Sequence, residues 1–88
     1  MHSIRLPEQC LDREQANTAF KGLQNIDTLR LDYRSTLFTG HSFTDELAQC
    51  IMKLNPTHLE VIGGDNSMHD MLRKYLDKPF TVVKPFYH

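Results

Sequence analysis

The chain predicts an α/β fold: a small, open, four-stranded, largely parallel sheet in the order β-α-β-α-β-α-β, with the helices mainly on one face. Three observations carry this. Short stretches with period-two alternation recur, and amphipathic stripes at helical spacing separate them. Helical crossovers between strands favour parallel neighbours and right-handed connections. The strands alternate apolar and polar residues instead of running apolar throughout, which leaves one sheet face without a helical cover.

Ser3-Ile4-Arg5-Leu6 alternates and stops at Pro7, a first short strand. Asp12 and Gln15 then stand at the N-cap and N3 positions of a capping box. Ala16, Ala19, Phe20 and Leu23 follow as one stripe, with Gly22 and Asn25 ending the helix. Thr28 to Tyr33 is the clearest strand, with Leu29, Leu31 and Tyr33 on one side. A loop rich in Ser, Thr and Gly runs from Ser35 to His41. Ser42 and Asp45 repeat the capping-box spacing, and Phe43, Leu47, Cys50, Ile51 and Leu54 form a second stripe ended by Asn55-Pro56. Leu59 to Ile62 is the third strand, closed by Gly63-Gly64. Asp65, Asn66 or Ser67 caps the stripe Met68, Met71, Leu72, Tyr75, Leu76, and Pro79 follows its end. Phe80 to Val83 is the last strand. The uncovered face is expected to carry Arg5, Arg30, Asp32, Glu60 and Thr81, with Ile62 and Val83 among them.

With 88 residues the chain is expected to form one domain, 1–88, burying roughly 60–65% of its unfolded surface. Forty per cent hydrophobic and 24% charged residues are globular proportions. A net charge of −1 offers no global pull on nucleic acid or anionic lipid. Apolar runs such as Val61-Ile62 fall far short of the ~20 residues of a membrane helix. No charged start with an apolar stretch marks a signal peptide, and Cys10 and Cys50 stand in no metal-like spacing. A cytoplasmic location with no membrane insertion is expected.

The five histidines lack the His-x3-His spacing of two ligands on one helical face, so no metal and no cofactor is expected. No convergent acid, base or nucleophile set emerges, and no catalytic residue is assigned. Cys50 lies on an apolar stripe and reads as core. Asp45 and Glu46, neighbours on a helix, point about 100° apart and read as complements of the helix N-terminus. Gly63-Gly64-Asp65-Asn66 lacks both the dinucleotide and Walker patterns and reads as a turn needing positive φ. Met52, Met68 and Met71 read as core or as an adaptable surface. The tail Phe86-Tyr87-His88 either folds back or docks on another protein.

Taken over its whole length, the chain resembles a STAS domain, the fold of anti-sigma-factor antagonists. Ile4-Arg5-Leu6-Pro7 to Leu11-Asp12 with its Ala-rich helix is similar to that family's opening. Leu29-Arg30-Leu31-Asp32, Leu59 to Gly64, and Leu76 to Val83 are similar to its later strands. The run Ser42-Phe43-Thr44-Asp45-Glu46-Leu47 is closer to a STAS-like branch of unassigned function. The departure is at Phe38 to Phe43, where the family's Asp-Ser-Ser-Gly or Asp-Thr-Gly-Gly is replaced by a stretch without Asp.

The resemblance implies a non-catalytic, protein-binding regulatory module that acts as a partner-switching adaptor or regulatory subunit. Its partner would be an ATP-binding kinase or anti-sigma-type protein, or a transporter subunit. Matching Thr39-Gly40 to Thr-Gly puts the regulatory hydroxyl on Thr39, and anchoring on Phe43 puts it on Ser42. A phosphate at a helix N-terminus is favoured by unpaired N–H groups and the positive dipole end. Ser42 also reads as a plain N-cap, and His41 as a solvated loop histidine. The expected partner contact is Thr39, Gly40, His41, Ser42 and Phe43, with Thr44, Glu46 and Gln49 on the helix that follows.

Two other readings stay open. One is a ligand-binding protein or enzyme using the strand C-terminal loops Ser35–Ser42 and Gly63–Ser67, with His41 or Asp65 pointing inward. The other is a self-associating homo-oligomer built through the uncovered sheet face or an edge strand.

Overall fold

A computed structural model of the chain describes residues 1–84. The tail Phe86-Tyr87-His88 lies outside the described residues. Four strands, β1 (His2–Arg5), β3 (Thr28–Asp32), β5 (His58–Ile62) and β6 (Thr81–Val83), form a sheet in that spatial order, every pair parallel. Two shorter strands, β2 (Gln9–Cys10) and β4 (Phe38–Thr39), pair with each other. The helices are α1 (Arg13–Phe20), α2 (His41–Leu54) and α3 (Asn66–Tyr75).

Each new strand of the main sheet is added on the same side of its predecessor. With right-handed crossovers, that monotonic order returns every helix to one face. Burial agrees. Ile4, Leu29, Leu31, Leu59 and Val61 are buried with Ala16, Phe20, Phe43, Leu47, Ile51, Met68 and Leu72 in one apolar cluster. The helix α2 packs against both α1 and α3, so the three form a single layer.

The pairing register puts the predicted polar set on the other face. Arg5 is opposite Asp32, Asp32 opposite Ile62, and Ile62 opposite Val83. One row back, Arg30 is opposite Glu60 and Glu60 opposite Thr81.

Local chemistry explains the helix starts. The Asp12 side chain accepts from the Gln15 N–H at 3.0 Å, and Gln15 Oε1 accepts from the Asp12 N–H at 3.1 Å, closing the predicted capping box. Asp65 accepts from the Met68 N–H at 2.8 Å and caps α3. The helix α1 ends at Phe20, short of Leu23, where Gly22 turns to φ +80°. The helix α2 stops at Asn55, which takes φ +53° as the left-handed cap before Pro56. Gly63 has φ +78°, and a Cβ there would come within 2.7 Å of the Arg34 backbone nitrogen, so that close approach requires glycine.

Two expectations are corrected. The stretch Ser35–His41 is not all loop, since Phe38–Thr39 is a strand. The Leu37 and Phe38 N–H groups both donate to the Glu8 carbonyl, and the Gly40 N–H donates to the Cys10 carbonyl at 2.8 Å. That ladder also overturns Ser42 as N-cap. It holds Gly40 extended (φ −93°, ψ 166°), and the Gly40 carbonyl accepts the Thr44 N–H, so the helix begins at His41 with Gly40 as a cap without a side chain. Ser42 then falls within the first turn, facing water.

Phe43 and Phe38, five positions apart, separate core from surface: Phe43 is fully buried, while Phe38 is 52% exposed. We expect Phe43→Ala to lower stability by roughly 3–5 kcal/mol through the cavity it leaves. Phe38→Ala should stay within about 0.5 kcal/mol of wild type, with urea denaturation of both variants as the measurement.

Candidate functional site

The residues expected to meet a partner gather at the N-terminal end of α2, but only some of them reach solvent. Ser42, His41 and Gln49 are exposed, and Gly40 is half-buried. Thr39 is 5% exposed and Thr44 1%, and Phe43 is sealed in the core. These three are corrections to the expected contact set. Thr39 sits in β4 with its side chain on the inner side of the β2–β4 ladder, opposite Cys10, which is itself buried. That removes it as an accessible phosphoacceptor and leaves Ser42. Thr44 is drawn inward by its own bonds: Oγ1 donates to the Gly40 carbonyl at 2.9 Å and contacts Met71 Sδ at 3.3 Å, joining α2 to α3.

His41 is not a loop residue. It opens α2, and its Nδ1 lies 2.8 Å from the Tyr75 hydroxyl with the rings edge to face. Asp45 and Glu46 do not complement the helix N-terminus, because both lie beyond the first turn and bind Arg13 of α1. Arg13 reaches Asp45 Oδ2 at 2.8 Å and Glu46 Oε1 at 3.3 Å. The guanidinium holds the Asp45 carboxyl below its ordinary range. Glu46 is therefore committed to an ion pair between helices. Gln49 donates to Asp45 Oδ1 at 3.3 Å and continues the same network.

Three apolar side chains that the sequence did not single out surround this end. Leu11 is 53% exposed, Leu37 71% and Phe38 52%, three of the five large exposed hydrophobics among the described residues. The register that pairs Cys10 with Thr39 sets Leu11 opposite Gly40. A Cβ on Gly40 would stand 3.6 Å from both the Leu11 carbonyl and the Phe38 ring. The available signal was Leu37-Phe38, an apolar pair in a stretch otherwise rich in Ser, Thr and Gly.

The side chains expected to point inward from the strand C-terminal loops are engaged elsewhere. His41 is engaged with Tyr75, and the Asp65 carboxylate caps α3. His69, buried, contacts the Gly63 carbonyl through Nε2 at 2.8 Å and stacks edge to face on Tyr33 and Phe80. Concavities open elsewhere: about 390 Å³ between the ends of α1 and α2 beside Phe20, Cys50 and Leu54, and about 400 Å³ beside Pro7 and α1. Cys50 is half-buried, its thiol on Asn17 Oδ1 at 3.4 Å, and burial pushes it up. Burial also takes the Cys10 thiol up to about 11, so neither cysteine is poised as a nucleophile at neutral pH. Among the described residues no cluster of three or more His, Cys, Asp or Glu could hold a metal ion, and no helix is long and apolar enough to cross a membrane. Met68 is core, whereas Met52 is 40% exposed.

The uncovered sheet face is neutralised in place. Arg30 and Glu60 pair across β3 and β5 at 2.9 Å. Asp32, 3% exposed, receives Arg34 through Nε at 3.0 Å and Nη2 at 2.9 Å, with Arg5 at 3.8 Å. The Arg34 hydrogen bonds hold the Asp32 carboxyl below its ordinary value.

Comparison with protein-family models, with curated proteins and with solved structures finds no match for the chain.

Asp32 gives a pH test. Its carboxyl binds a proton less readily in the folded chain than in the unfolded one, so its contribution is complete above about pH 4–5 and drains as pH falls through the folded-state value. Asp32→Asn should lower stability at neutral pH and lessen the further loss on acidification, read from urea midpoints across that range.

Proposed function

We propose that the chain is a cytoplasmic, protein-binding regulatory module of the STAS-like kind, with no chemistry of its own, acting as a partner-switching adaptor or regulatory subunit. One observation carries this reading: a solvent-facing hydroxyl, Ser42, stands in the first turn of α2, two residues beyond the Gly40 that Phe38 and Leu11 flank. Large apolar side chains left exposed near one end of a small domain mark a place where another protein sits. A hydroxyl at its border is where added charge has the most effect.

Ser42 is the switch in this reading. A protein kinase transfers the γ-phosphoryl group of ATP to Ser42 Oγ, the hydroxyl gives up its proton, and ADP leaves. The added charge of roughly −2 is accommodated by the first-turn amides, which Gly40 leaves without a side-chain cap. Its hydration then opposes an apolar partner seated on Phe38 and Leu11. The partner the family resemblance suggests is an ATP-binding kinase or anti-sigma-type protein, or a transporter subunit. The absence of an Asp ahead of the hydroxyl is the one place where the motif departs from that family.

Incubation with a Ser/Thr kinase and ATP should raise the intact mass by about 80 daltons in wild type and not in Ser42→Ala. Ser42→Asp should weaken capture of the partner at least tenfold while circular dichroism stays unchanged. A mass gain that survives Ser42→Ala, or a Ser42→Asp chain that holds its partner as tightly as wild type, refutes the switch.

A further inference from the structure

The charges around Leu11 and Phe38 define what kind of segment that surface fits, on the protein-binding reading above. We propose that the β2–β4 end of the molecule docks a cationic amphipathic segment of another protein. Its apolar side chains would seat on Leu11 and Phe38, and its Lys or Arg side chains would meet the acids at the rim.

The rim is acidic and largely unanswered. Glu8 offers its carbonyl to the N–H groups of Leu37 and Phe38, so it stands directly beside the apolar pair. Asp12 follows Leu11 and uses its carboxylate as the cap of α1, and Glu14 lies in the first turn. None of these three makes a salt bridge among the described residues. Asp45 and Glu46 add two more carboxylates and share the single guanidinium of Arg13. The nearby Arg34 is spent on Asp32. Of the chain's lysines, Lys53 lies in the last turn of α2 and Lys21 is the C-cap of α1, while Lys74 stands over the Tyr75 ring on the α3 side of His41. The α1 and α2 starts are joined by Arg13 with Asp45 and Glu46, so the turns of Lys21 and Lys53 lie at the opposite end of those helices.

An apolar centre with a rim of one sign selects for a partner of the other sign, and the rim mainly governs encounter and salt dependence. It also disfavours a second copy meeting the same surface face to face, because a two-fold contact would set five carboxylates against five. The uncovered sheet face does not compete for this partner, since its charged pairs, Arg30 with Glu60 and Arg5 and Arg34 with Asp32, are already closed on one another.

The test uses the ¹⁵N-labelled full chain and three amphipathic helical peptides of roughly 16 residues. One carries Leu on one face and Lys on the other, one replaces every Lys by Glu, and one keeps Lys but replaces Leu by Ser. Only the Leu/Lys peptide should shift the amides of Leu11, Phe38 and His41. Its affinity should fall at least tenfold in Phe38→Ser and in Glu8→Lys/Glu14→Lys, and should fall as salt is raised. Equal binding of the Glu peptide overturns the proposal, as do shifts confined to the uncovered sheet face. So does concentration-dependent self-association in sedimentation that Phe38→Ser abolishes. If no peptide reaches the patch while Ser42-dependent capture of a partner persists, the docking chemistry falls and the protein-binding reading stands. Loss of both removes both.

Discussion

The hydrogen bond from the Gly40 N–H to the Cys10 carbonyl decides how the candidate site is presented. It closes the β2–β4 ladder and fixes Gly40 in an extended conformation. The first helical carbonyl is thereby aimed at Thr44, whose hydroxyl reinforces it. Everything at this end follows from that start point. Thr39 is pinned inward opposite Cys10, Phe43 enters the core, and Ser42 is left on the outer side of the first turn.

Much of the framework was legible because it is written in local spacings. The Asp12–Gln15 box, the Asp65 cap, the Asn55-Pro56 stop and the alternation of Leu29, Leu31, Leu59 and Val61 each need only a few neighbouring residues to be read. The placement of Arg5, Arg30, Asp32, Glu60 and Thr81 on one face followed from the same period of two. The site was less legible, because its partners are distant along the chain. His41 meets Tyr75, Arg13 meets Asp45 and Glu46, and Gly40 meets Cys10, each across some thirty residues. A two-residue strand such as Phe38–Thr39 is too short to show a period at all. The Ser42–Asp45 spacing matched a capping box and misled for that reason: the local signal was correct in form, and a long-range bond had already claimed the helix start.

The molecule handles its two solvent-facing polar regions differently. On the sheet, each strand's charge has an opposite charge in register beside it, which keeps a face without helices soluble and discourages pairing. Around α2 the acids outnumber the bases and the apolar side chains are left uncovered. The contrast lies between satisfied and unsatisfied surface within one small fold. It is a stronger guide to function here than any single residue.

The sheet's spatial order is also the order in which a ribosome would deliver its strands. Every strand that emerges finds its neighbour already made: β3 beside β1, β5 beside β3, β6 beside β5, and β4 beside β2. No earlier pair has to part to admit a latecomer. Assembly can therefore proceed by accretion at one growing edge, with the nascent chain gaining native partners as it lengthens.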